Sequence, residues 1–246
     1  MSSESVASVH ADKSTVVLTV LCDNRAARAG MVPVHGLSVL VETPDRRVLF
    51  DTGADGRTVY NADVLGISLA GLDAVVLSHG HYDHVGGLEA VLERTGAVTV
   101  YAHAETFRRA YARDDTGKYR YIGPPRTVED YERLGARFQW VEQPVALGEY
   151  MLVFGGIPLH DRSVVIHSCL LRECRAHLVE DSFRDEIAMV VTVGDLCLTV
   201  TGCAHAGVAN TVRVSREFVV DPHHRVLLGG FHLEPYVEGE IREMAL

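Results

Sequence analysis

Ser78-His79-Gly80-His81-Tyr82-Asp83-His84-Val85-Gly86-Gly87 follows directly on the apolar run Ala74-Val75-Val76-Leu77. Three imidazoles and a carboxylate fall within six residues, 79–84. Imidazole nitrogen and carboxylate oxygen are donors that zinc, iron and manganese accept. Residues i and i+2 of an extended segment point the same way, so His79 and His81 can grip one ion. Asp83 and His84 follow after a bend and can face a second ion beside the first. A lone histidine is more often a core or surface residue, but four donors crowded among Gly80, Gly86 and Gly87 are a different matter. Those glycines let the backbone bend sharply and approach closely.

The surrounding chain bounds what such a loop can serve. At 246 residues and 47% hydrophobic, the chain can bury a sizeable core, and no Pro/Ser-rich linker or charge block divides it. A formal net charge of −10 argues against a nucleic-acid partner. The cysteines Cys22, Cys169, Cys174, Cys197 and Cys203 are odd in number and lack CxxC spacing, which fits free thiols in a reducing compartment. Residues 1–14 are polar and read as a loose tail, not a secretory signal. No apolar run reaches the roughly 18 residues of a membrane helix. Together these point to a cytoplasmic protein with a small-molecule substrate and no membrane partner. The oligomeric state stays open, with a homodimer among the options.

Periodicity predicts strands over Thr15–Leu21, Leu37–Glu42, Arg47–Phe50, Ala74–Leu77, Val98–Ala102, Arg137–Glu142, Tyr150–Phe154, Ile187–Val193, Leu196–Thr201 and Arg225–Leu228. Gly194-Asp195 marks a hairpin turn. Helices are expected over Asn61–Leu65, Gly87–Thr95 and Ala206–Phe218. From about Glu105 to Gly135 the pattern fails, in a stretch rich in Tyr, Arg, Asp and Gly. It reads as an insertion, partly helical, near the mouth of the site. Its Arg108, Arg109, Arg113, Lys118, Arg120 and Arg126 form either a solvated surface or a lid that contacts phosphate. Periodicity alone supports a mixed α and β chain with strands in two groups, which suits a sheet-on-sheet sandwich.

His-x-His-x-Asp-His after a buried strand resembles the signature of the metallo-β-lactamase superfamily, and Leu49-Phe50-Asp51-Thr52-Gly53 looks like its Asp-Thr-Gly turn. His35-Gly36-Leu37-Ser38, Thr201-Gly202-Cys203-Ala204-His205-Ala206-Gly207 and Gly229-Gly230-Phe231-His232-Leu233 narrow the likeness. They resemble the branch labelled dihydropterin ribofuranosyl-aminobenzene phosphate synthase-like, or metal-dependent hydrolase. The resemblance runs from about Val16 to Leu233. It implies an α+β, four-layer αββα sandwich spanning residues 15–246, with Asp51 supporting the metal loop from behind.

A dinuclear site needs further ligands. His205 follows its strand as His79 follows its own, and is a candidate ligand or acid/base. His232 resembles the superfamily's final metal histidine. Cys203 stands where many members place a bridging Asp, and is either a thiolate ligand or a small buried residue. Members usually supply another histidine from a Gly-His-Thr-like loop. No such loop occurs, and Asp185 and Glu186 occupy roughly that place. An Asp185 ligand would move preference from zinc toward manganese or iron; otherwise the pair is an ordinary polar strand start. His35 and His160 are weaker candidates for facing substrate.

The chemistry expected of one or two divalent ions, zinc first, is a bound water acidified to hydroxide, oriented by Asp83, with His205 binding substrate oxygen or relaying a proton. The expected reaction is hydrolysis of an ester, thioester, lactone, amide or phosphoester. The alternatives are a non-hydrolytic synthase or transferase on a phosphate-bearing pterin-like substrate, and a metal-containing binding or regulatory protein without turnover.

Overall fold

The computed structural model describes residues 15–26, 28–159, 168–219 and 224–233. The first sheet carries β1 (Val17–Cys22), β2 (Ser38–Glu42), β3 (Arg47–Phe50), β4 (Ala74–Val76), β5 (Val98–Ala102) and β8 (Ala136–Trp140), in that order. Its first three strands are antiparallel; β3, β4, β5 and β8 run parallel. The second sheet has the order β15 (His224–Leu228), β14 (Leu196–Thr201), β13 (Ala188–Val193), β10 (Met151–Phe154), β9 (Val145–Ala146).

Side-chain alternation assigns the faces. Along β2, Val39 and Val41 enter the core between the sheets while Leu40 points outward. Val48 and Phe50 of β3 and Met189 and Val191 of β13 also point inward; Leu49, Ala188 and Val190 point outward. Each outward face is covered by helices. α1 (Arg57–Leu65), α3 (Leu88–Thr95) and α4 (Val128–Arg133) cover the first sheet, and α5 (Val208–Ser215) covers the second. The metal-loop helix α2 is a single turn, Tyr82–Val85. On α3 the buried residues are Leu88, Val91 and Leu92, the spacing of one helical face. Each such side chain removed from water contributes about 1.5–3 kcal/mol. The result is the expected αββα layering.

The stretch from 105 to 135 is not irregular throughout. It forms β6 (Ala110–Arg113), β7 (Tyr119–Tyr121) and α4, whose Thr127 and Asp130 make a capping box. β6 and β7 join β11 (Leu170–Cys174) and β12 (His177–Glu180) in a third sheet of order β12-β11-β6-β7. α1 begins at Arg57, four residues before the expected start, and already buries Thr58 and Val59; its buried Asn61 donates to the Leu21 and Val32 carbonyls at 2.8 and 3.0 Å. No helix among the described residues is long and apolar enough to cross a membrane.

Strand direction concentrates the functional loops on one edge. β3 and β4 are parallel, so Asp51 and Ser78 leave the first sheet side by side. Ala188 at the start of β13 lies opposite Thr201 at the end of β14, and β15 runs parallel to β14. The second sheet therefore offers segments 181–187, 202–207 and 229–232 at the same edge. A hydrogen bond from Ile187 N to Ser78 O, 2.8 Å, joins the two sheets there.

Candidate metal centre

The loop after β4 holds its histidines through Asp51. Asp51 Oδ1 accepts from Ser78 N at 2.7 Å, and Oδ2 accepts from Ser78 Oγ at 2.7 Å. Oδ2 also lies 2.6 Å from His84 Nδ1, so that nitrogen carries a proton and Nε2 faces the cavity. Ser78 Oγ spends its one proton on Asp51, so at 2.9 Å it accepts from His79 Nδ1. That leaves the His79 Nε2 lone pair turned toward His81 Nδ1, 3.0 Å away. One carboxylate thus sets the orientation of two donor histidines.

Cys203 and His205 arrive from the end of β14. Cys203 Sγ sits 3.1 Å from His84 Nε2. The His205 ring lies 4.9 Å from the His79 ring, 5.0 Å from His81 and 4.5 Å from His232, centroid to centroid. Three sets of donor atoms each lie within 4.8 Å of one another and could hold an ion: His79, His81 and His205; His79, His84 and Cys203; and Cys203, His205 and His232. Asp51, Phe183, Ala204 and His232 are four of the six non-glycine residues with positive φ among the described residues, and all four border this centre. Such strained backbone persists where packing over-determines it, typically at functional sites.

Burial sets the charges. It drives the His79 imidazole well below its ordinary value and His81 to about 4, so both are neutral donors near pH 7. Burial also disfavours charge on His84, but Cys203, Asp51 and Asp83 outweigh it and raise its value. Burial pushes the Cys203 thiol up, with His84 pulling the other way. For Asp83, burial opposes ionisation, yet His84, His81 and His35 hold the carboxyl well below the usual carboxylate range. Neutral imidazoles, a thiol beside an imidazole and an anionic carboxylate make a donor set that suits a borderline divalent cation. The residues present fit such an ion.

The other candidates sort clearly. Asp83 is only partly buried; its Oδ2 lies 3.4 Å from His84 Nε2 and 3.6 Å from His35 Nε2. His35 is exposed at the rim, with Nδ1 3.1 Å from Asn24 Oδ1. Asp185 and Glu186 stand behind the centre with their oxygens engaged elsewhere. Asp185 accepts from Gly80 N at 2.8 Å and from Arg172 at 2.6 Å. Glu186 accepts from the backbone N–H groups of His205 and Ala206, each at 2.7 Å. Neither belongs to a donor group with the histidines; the third imidazole beside His79 and His81 is His205. His160 lies outside the described residues. Ser78, Phe183 and Arg172 were missed as site residues. Ser78 stood inside the quoted string, next to a donor, and its hydroxyl was the available signal.

The family model described as the metallo-beta-lactamase superfamily matches residues 31–169. The uncharacterized protein MJ0448 of Methanocaldococcus jannaschii is 30% identical over 221 residues, covering 88% of this chain and 79% of that one. The 7,8-dihydropterin-6-methyl-4-(beta-D-ribofuranosyl)-aminobenzene-5'-phosphate synthase of the same organism is 28% identical over 210 residues, covering 81% and 71%. A crystal structure described as Tm1679, a metal-dependent hydrolase of the beta-lactamase superfamily, superimposes with a TM-score of 0.76 at 30% identity, covering 92% of this chain and 80% of that one.

Proposed function

Because the chain belongs to the metallo-beta-lactamase superfamily, we propose that it is a metal-dependent hydrolase of a small-molecule ester, thioester, lactone, amide or phosphoester. The observation that carries this reading is the convergence of His79, His81 and His205 at one sheet edge, with His84, Cys203 and His232 beside them. A divalent ion, zinc first by donor chemistry, supplies an acidified water and an electrophile for a substrate oxygen.

In this reading His79, His81 and His205 would hold one ion, and Cys203 with His84 or His232 a second. Burial keeps His79 and His81 neutral, so their lone pairs are available without proton loss. Asp83 stays anionic beside them and would orient the attacking water as a hydrogen-bond acceptor. His35, exposed and adjacent to Asp83, meets substrate rather than ion. The acidic surface sets the protein against polyanionic partners such as nucleic acid.

Group transfer on a phosphate-bearing substrate is the second reading. The synthase relative favours it. So does Arg120 on β7, whose guanidinium lies 5.7 Å from the Tyr82 ring centroid, next to Asp83 in the metal loop. A metal-reconstituted protein assayed on esters, thioesters, lactones and phosphodiesters separates the two. Hydrolysis that disappears in His81→Ala supports the first reading. A fully loaded protein inert to the whole panel rejects it.

A further inference from the structure

Residues 181–186 cross the buried side of the centre just before β13, and successive members of the segment hold different parts of the donor set. Asp181 accepts from Phe183 N at 2.8 Å and shapes the turn that puts Phe183 at φ 48°. The Phe183 ring then stacks on His205, 4.2 Å between centroids and 10° from parallel, and meets His81 edge-on at 6.2 Å. Asp185 Oδ2 takes the N–H of Gly80, the residue between His79 and His81. Glu186 takes the N–H groups of His205 and Ala206.

Asp181 and Asp185 are both 1% exposed, and one guanidinium meets both. Arg172 of β11, itself buried, donates from Nε to Asp181 Oδ2 at 3.2 Å and from Nη2 to Asp185 Oδ1 at 2.6 Å. Its remaining nitrogen, Nη1, reaches Glu105 Oε2 at 3.2 Å. Glu105 precedes Thr106, whose carbonyl packs so closely on Gly80 that a Cβ there would overlap it. Three nitrogens of one rigid fork therefore fix three carboxylates, and through them both sides of the His79–His81 loop. Burying an ion network is a poor route to stability alone, since well-packed apolar side chains serve as well or better. What the fork adds is defined orientation.

We infer that Arg172 is the positioning residue of the metal centre, through which the added sheet β12-β11-β6-β7 sets the relative placement of His79, His81 and His205. The inference rests on the metal reading above. Cobalt(II) titration of the full chain tests it, following affinity by competition with a chromophoric chelator and ligand geometry by the visible absorption bands. Arg172→Met and Asp185→Asn are each expected to weaken cobalt binding by about 10–100-fold and to shift the bands, with far-ultraviolet circular dichroism unchanged. Arg172→Lys keeps the charge but not the fork, and is expected to recover part of the affinity. Where Arg172→Met does not fold, Asp185→Asn decides alone, because it keeps the side chain's shape and an acceptor for Gly80. A folded Asp185→Asn or Arg172→Met with wild-type affinity and spectrum overturns the inference. A wild-type chain that binds no cobalt overturns the metal reading itself, and this inference with it.

Discussion

Asp51 takes three hydrogen bonds on two oxygens, and its φ of 56° aims the carboxylate under the loop. An amide in its place has only one accepting atom, so its NH2 must face either the Ser78 N–H or the donors Ser78 Oγ and His84 Nδ1. Asp51→Asn is therefore expected to lower metal affinity by about 10–100-fold while the fold persists, as measured by chelator competition. Unaltered affinity would show that the histidines are oriented without it. Gly80 tests the same loop by volume. A side chain there meets the Thr106 backbone carbonyl, which cannot rotate away. Gly80→Ala should cost about 1–3 kcal/mol in denaturant unfolding and weaken metal uptake as well. A variant as stable as wild type would mean that the loop yields more than this packing suggests.

At the scale of elements, the third sheet stands apart from the sandwich. Its strand β11 ends on Cys174 and follows directly on Cys169; these two thiols are exposed, whereas Cys22, Cys197 and Cys203 are buried. Burial also pushes the Cys22 thiol to about 11 and raises Cys197, which keeps both protonated and unreactive near neutrality. A native-state thiol assay should count two fast groups, rising to five in denaturant. Three or more fast groups would place one of the buried cysteines nearer to solvent. The same sheet was the least legible part of the sequence. β7 and β12 are exposed along their whole length, so no alternation marks them. The β11–β12 hairpin turns at Arg175-Ala176 with φ of 49° and 65°, a left-handed pair that Asn-Gly normally announces. By contrast β5 and β14 fell where the apolar pattern placed them, because each has a face pressed into a core. The metal loop was legible because its donors are neighbours in sequence. The part of the Asp185–Glu186 pair was not, since spacing does not show that these carboxylates accept the backbone N–H groups of Gly80, His205 and Ala206.

Across the whole molecule, two sheets bring five segments to one edge, and the core between them keeps those segments in register. Met189 is fully buried in that core, so Met189→Ala should cost about 2–5 kcal/mol in unfolding free energy. Val226 is 47% exposed, so its replacement by Ala should cost under about 0.5 kcal/mol. Equal costs would contradict the layer assignment. In the proposed centre His79, His81 and His205 share one ion. Anomalous diffraction from zinc-soaked crystals, collected on either side of the zinc edge, tests it directly. The account predicts a peak bonded to those three imidazoles, with Asp185 and Glu186 outside its coordination sphere. A zinc-saturated crystal whose peaks lie away from the three histidines, or on Asp185, would contradict it.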